Sequence, residues 1–111
     1  MVQSKTELFD IELQKIAEVF KALAHPARLA ILKYLAETKT CITGDLSEEL
    51  PLSRTTINQH LTELKKIELI HGTIEGVKTN YCLNYSRIVE LRDKMLKLMS
   101  DFDLIYKNNC C

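Results

Sequence analysis

Apolar side chains in the first quarter of the chain recur every three or four residues, at Phe9, Leu13, Ile16, Phe20 and Leu23. That period predicts a helix over residues 6–24. The next stretch, "AHPARLAILKYLAE", places His25 at a cap position and Pro26 in a first turn, where its missing N–H is harmless. Leu29, Ile31, Leu32 and Leu35 give this second helix a wide apolar face. Thr43 can cap a short third helix through "GDLSEEL", which Pro51 ends. Only Leu50-Pro51-Leu52 then intervenes before Ser53, which can cap a longer helix, "RTTINQHLTELKK". Its predicted buried stripe is Ile57, Leu61 and Leu64.

The period then changes. "LIHGTIEGVKTNYCLN" sets β-branched residues and Tyr81 on either side of Glu75-Gly76, and reads as two strands joined by a tight turn. Ser86 opens a last helix, in which Ile88, Leu91, Met95, Leu98, Phe102 and Ile105 step by threes and fours as an a/d seam. Val89, Leu96 and Met99 add a second stripe beside it. One helix with two apolar stripes must bury both, and few other helices remain to cover it. The last helix, helped by the first, is therefore expected to form a homodimer interface containing Phe9, Leu13, Ile88, Leu91, Met95, Leu98 and Phe102.

Two helices joined by a tight turn, with a β-hairpin behind the second, make a winged helix-turn-helix. The expected fold is thus mainly α with a β-hairpin wing, in a single domain over residues 1–111. Within it the helix-turn-helix spans about 43–67, the wing about 69–84, the dimerisation helix about 86–106 and a thiol-bearing tail 107–111.

Composition narrows the class. With 111 residues, 46% hydrophobic content, three Gly, two Pro and no Trp, the chain suits one helix-rich domain. The formal net charge of zero argues against a grip on nucleic acid through bulk charge and leaves the task to local patches. No apolar run is long enough to span a bilayer, and the start "MVQSKTELFD" lacks a signal-peptide core. A cytoplasmic protein without a membrane partner is expected, with its four cysteines as reduced thiols. No nucleophile-base constellation is visible, and three scattered glycines cannot cradle a phosphate, which argues against an enzyme.

The helix after Ser53 has the chemistry of a DNA-reading element. Arg54, Thr55, Thr56, Asn58, Gln59 and His60 are short or forked donors and acceptors, able to read base edges or hold phosphates. Arg54 suits a guanine edge, and Asn58 or Gln59 an adenine edge. Lys65 and Lys66 suit phosphates, and Lys78 near the hairpin tip suits a backbone or minor-groove contact. Between Leu52 and Leu83 four basic residues stand against three acids, so the pull per subunit is modest. A dimer doubles it and makes a palindromic stretch of double-stranded operator DNA the natural target.

"LAHPARLAILKYL", "CITGDLSEELPLSRTTINQHLTELKKIELIHGTIEGVKTNYCLN" and the last helix resemble the ArsR/SmtB repressors, over about residues 13–105. The resemblance implies a homodimeric winged-helix repressor that leaves its operator when an inducer binds. It places Ser53, Arg54, Thr55, Asn58 and His60 where the family touches DNA, with packing at the helix base an equal role for His60. Many metal-sensing members carry a Cys-x-Cys pair at the third helix; here Cys41 is present but Thr43 replaces the second thiol. Zinc-type members use Asp and His pairs on the last helix, which here has Asp93, Asp101 and Asp103 but no His.

"NNCC" is similar to the adjacent cysteines that some arsenic-responsive members carry after the last helix. Cys110 and Cys111 would then hold trivalent arsenic or antimony, a soft ion that favours thiolates, as inducer rather than obligatory cofactor. Cys41 is the candidate third ligand, Cys82 is expected as a small buried residue, and ligands from the other chain stay open. Two rival readings remain: a repressor sensing oxidants or sulfur species through Cys41 and the terminal pair, and a winged-helix module that binds protein. His25 and His71 lack spaced partners and join no metal site.

Overall fold

The computed structural model describes residues 8–39, 41–43, 46, 47, 49–75 and 78–109. Asp10 opens the first helix, its carboxylate accepting from the Glu12 N–H at 3.0 Å, and α1 runs Ile11–Leu23. α2 (Pro26–Thr38) starts with Pro26 in its first turn and ends at Lys39, whose φ of 60° turns the chain out of the helix. A strand that the periodicity does not announce follows, β1 (Ile42–Thr43). α3 (Arg54–Lys66) is capped by Ser53 as expected. The hairpin is β2 (Ile70–Glu75) and β3 (Lys78–Leu83), and α4 (Tyr85–Asn109) closes the order.

Four local expectations change, the first being that α1 starts at Ile11, after its cap Asp10, and not ahead of Phe9. Thr43 pairs in β1 instead of capping a helix, and the described residues of "GDLSEEL" form a turn, with the Leu50 N–H donating to Leu46 C=O at 3.0 Å. Gly44, Asp45 and Glu48, on which the rest of that expected helix falls, lie outside the described residues. The last helix starts one residue before Ser86, because Asn84 Oδ1 accepts from both the Arg87 N–H (3.4 Å) and the Ser86 hydroxyl (3.0 Å). Residues 107–109, expected in the tail, form its final turn.

The sheet has the order β1-β3-β2, all antiparallel. Ile42 pairs with Tyr81 and Thr43 with Asn80 across β1 and β3, while β2 and β3 pair from Ile70↔Leu83 to Glu75↔Lys78. Gly72 faces Tyr81 at a φ of 129°, where a Cβ would lie 2.7 Å from Tyr81 Cα. Only glycine fits that approach.

The core gathers Val19, Ile31, Leu35, Leu46, Ile57, Leu61, Leu64, Leu69, Ile70, Tyr81 and Leu91. The predicted stripe of α3 is thus fully inside. Around it the start of α4 locks to the end of α3: Asn84 Nδ2 donates to Glu68 C=O at 3.0 Å and Arg87 Nε to Ile67 C=O at 3.1 Å. Glu68 sits at φ 65°, and this bond helps hold that turn. Beyond Leu98, α4 leaves the core. The radius of gyration is 17.1 Å, against about 13 Å for a compact chain of this length.

Candidate nucleic-acid interface

α3 buries one face and offers the other. Opposite Ile57, Leu61 and Leu64 runs a ridge of Thr55, Gln59, Thr62 and Lys66, all exposed, with Arg54 exposed at the helix start. Four polar side chains spaced by one turn along one ridge match what a helix presents to a DNA groove. Thr62 was absent from the sequence-based set. The signal for it is the same 3.6 period, counted from the polar side of the helix instead of the buried one.

Several expected contacts are already engaged within the chain. The Ser53 hydroxyl accepts from the Thr56 N–H (3.3 Å) and donates to Thr56 Oγ1 (3.0 Å), so it serves the helix start. Thr56 and Asn58 are half-buried. Lys65 Nζ donates to Gly72 C=O at 2.6 Å, which ties the end of α3 to β2 and makes Lys65 a link between helix and wing. Lys66, beside it, pairs with Glu63 at 2.9 Å on the surface. Lys78 lies at the start of β3, opposite Glu75 in the ladder.

His60 has a structural partner that no local pattern announces. Arg28 of α2 donates from Nε to His60 Nδ1 at 3.0 Å and from Nη1 to Ala22 C=O at 2.9 Å. The His25 ring lies 5.9 Å away. Arg28 therefore joins the end of α1, α2 and α3 at one point, and His60 packs there at the base of α3. Accepting at Nδ1 requires the neutral ring. Burial first, then the charges of Arg28 and His25, hold its pKa below the ordinary value.

An imidazole that is harder to protonate folded than unfolded adds stability above about pH 6.5. That contribution is lost as pH falls through the folded value. In an NMR titration His60 should show a midpoint below about 6.5, and Arg28→Ala should move it upward. A midpoint of 6.5 or above, unchanged by Arg28→Ala, contradicts this arrangement.

The cysteines depart most from expectation. Cys41 and Cys82 are joined in a disulfide, with Cα atoms 4.2 Å apart, instead of standing as a free thiol and a lone packing residue. The register Ile42↔Tyr81 puts Cys41 opposite Cys82, and a directly opposed pair on antiparallel strands is close enough to bond. Cys110 and Cys111 lie outside the described residues. Among the described residues, no group of three His, Cys, Asp or Glu side chains is placed to hold a metal ion.

Comparison with known proteins gives this geometry a family. A helix-turn-helix domain family matches residues 23–73, the span from the end of α1 into β2. An HTH-type transcriptional regulator of Methanocaldococcus jannaschii is 37% identical over 78 residues, covering 70% of this chain and 88% of that protein. The fold of an ArsR-like transcriptional regulator from Rhodococcus sp. RHA1 matches with a TM-score of 0.64 at 22% identity, over 86% of this chain and 92% of the other. The chain belongs to the ArsR-like helix-turn-helix transcriptional regulators.

This ArsR-like regulator is also similar to CmtR of Mycobacterium tuberculosis (30% identical, 79% of this chain and 74% of the relative). The transcriptional repressor SdpR of Bacillus subtilis is 32% identical over 77% of this chain and 93% of its own. The resemblance drawn from "HPAR" through "QHL", and the winged helix-turn-helix expected from the pattern, are both borne out. An ArsR-like protein of this kind is a DNA-binding transcriptional regulator and not an enzyme.

Proposed function

We propose that the protein is a homodimeric repressor that grips a two-fold operator with two copies of α3 and the hairpin and releases it when an inducer binds. One observation carries the dimer: large apolar side chains of α1 and α4 that the described residues of the chain leave uncovered. Leu96, Met99, Phe102, Leu104, Ile105 and Tyr106 of α4 are each more than half exposed, as are Phe9 and Ile11 at the start of α1. A groove of about 750 Å³ runs between α1 and α4, floored by Leu13, Ile16, Leu91 and Leu98 and rimmed by charges such as Glu18 and Lys94. A helix of a second copy fits that chemistry. An isolated monomer has no reason to keep so much apolar side-chain surface in water. Of the interface residues expected from the seam, Leu91 is only 4% exposed and serves the chain's own core, with Ile88 and Met95 packed against it. Phe9, Leu13, Leu98 and Phe102 remain for the partner.

Repression through the dimer also supplies a route for release. The α4 start holds the α3 end through Asn84 and Arg87. A change in how two copies of α4 pack therefore moves the DNA-facing helices. The inducer of this reading is trivalent arsenic or antimony, held by the thiolates of Cys110 and Cys111. A third sulfur would come from Cys41 once its bond to Cys82 is reduced, or from Cys82 beside it. Release then requires that the ion favour the free dimer over the DNA-bound one. The protein would act in the cytoplasm; no described helix is long and apolar enough to cross a membrane.

The experiment is fluorescence anisotropy of the reduced protein on its own promoter duplex, titrated with arsenite. Release near stoichiometric arsenite, with zinc inert, is expected. Cys110→Ser/Cys111→Ser should keep the operator affinity and lose the release. Full release in that double variant removes the terminal pair from the mechanism. Specific binding that arsenite never reverses keeps the repressor and discards the inducer.

A further inference from the structure

We infer that Cys41 and Cys82 form a reversible thiol–disulfide switch, oxidised by a hydroperoxide, that fixes the connection between α2 and α3 to the wing. The switch sits at β1. That strand is two residues long and holds to β3 by two register pairs, Ile42↔Tyr81 and Thr43↔Asn80. So short an edge strand is marginal by itself. The disulfide adds a covalent third rung at Cys41–Cys82. It closes a sequence separation of 41 residues, which encloses all of α3 and β2. Every side chain on the DNA-facing ridge lies inside that loop.

Chemistry fits a switch better than a buried staple. Cys41 is exposed and Cys82 half-buried, so one sulfur is open to an oxidant while the other waits beside it. The Cys41 thiolate attacks a peroxide oxygen and breaks the O–O bond. With one proton taken up, this gives a sulfenic acid and water, or an alcohol from an organic peroxide. The Cys82 thiolate then attacks the sulfenic sulfur and expels hydroxide, which is protonated to water. Two thiols lose two electrons together and the peroxide gains two. A dithiol reductant reverses the bond by exchange.

The consequence lies in how α3 and the wing are held. Lys65 binds α3 to β2 through Gly72 C=O, and β2 pairs along β3. Oxidation adds the other end of the motif by fixing β1, just ahead of core residue Leu46, to the same β3. The oxidised form is then preorganised for a DNA groove, and the reduced form has to order this connection on binding. Operator affinity should be about tenfold higher oxidised than reduced, within the usual span of coupling between two sites.

This affinity readout rests on the operator-binding reading, so the test carries a second one that does not. In Cys110→Ser/Cys111→Ser protein only Cys41 and Cys82 remain. Reduced full-length protein of this variant is treated with one equivalent of hydrogen peroxide, then assayed by peptide mass spectrometry, thermal melting and anisotropy on the promoter duplex. The expected result is a Cys41–Cys82 cross-linked peptide, a Tm raised by about 10 °C and a tenfold tighter complex. Dithiothreitol should reverse all three, and Cys41→Ser should abolish them. Failure of the cross-link to form, or a cross-link that leaves Tm and affinity unchanged, overturns the switch. If neither form binds the duplex specifically, the operator reading fails. The switch then stands on a reversible rise in Tm and falls without one.

Discussion

Replacing Phe102 and Ile105 together by Glu should separate the dimer into monomers and weaken operator binding by about two orders of magnitude. Both side chains lie on the part of α4 beyond the chain's own core, at 55% and 60% exposure. Nothing in the core loses a partner, so helicity and the monomer fold should survive. In the dimer each Glu would place a carboxylate in an apolar interface, where an unpaired charge is strongly disfavoured. With half-sites no longer linked, the second contact loses its effective concentration, and that alone is worth 10²–10⁴ in affinity. Sedimentation equilibrium and anisotropy on the same samples check this. A variant that stays dimeric shows that another surface joins the two copies.

The second large effect is on stability. Leu61→Ala should destabilise the fold by about 2–5 kcal/mol, the usual result of emptying a buried leucine site. Leu61 is 1% exposed on the inner face of α3, in a core shared with α2, the hairpin and α4. For a domain of this size the melting temperature should drop by more than about 10 °C, measured at fixed protomer concentration because dimerisation would add its own stability. Thr62→Ala, the next residue along, should change stability by less than about 0.5 kcal/mol while weakening operator binding. Its hydroxyl donates only to Asn58 C=O, one turn back on the exposed ridge. Equal losses from the two substitutions would mean that the two faces of α3 have been misread.

How much of this could be read from the sequence depends on the reach of each interaction. α3 was legible to the residue: Ser53 is a local cap, and Ile57, Leu61 and Leu64 mark the buried side by spacing alone. The α4 seam was legible as a pattern but not as a division of labour. Spacing shows that Leu91 and Phe102 are both apolar; it does not show that one meets its own core and the other lies bare. The start of α4 was a contest between two capping residues two apart. Asn84 wins over Ser86 because its amide also reaches back to Glu68.

What the sequence hid is long-range. β1 is two residues whose partners lie about forty positions away, and no local period announces it. Without β1 there is no reason to set Cys41 against Cys82, so the thiols read as separate. Lys65 and His60 look like DNA contacts because nothing nearby claims them; Gly72 and Arg28 do so only in the folded chain. The helix that carries the candidate interface was thus legible in the sequence, while the bonds that Lys65 and His60 make within the chain were not.

If two copies of this chain read one operator, their complex with DNA has a fixed stoichiometry. Sedimentation velocity of the protein on a promoter duplex bearing an inverted repeat, with half-sites about one helical turn apart, tests it most directly. Two chains per duplex are expected, bound with a moderate salt dependence, and no stable complex when one half-site is scrambled. A single chain per duplex, or equal binding to the scrambled site, would contradict it.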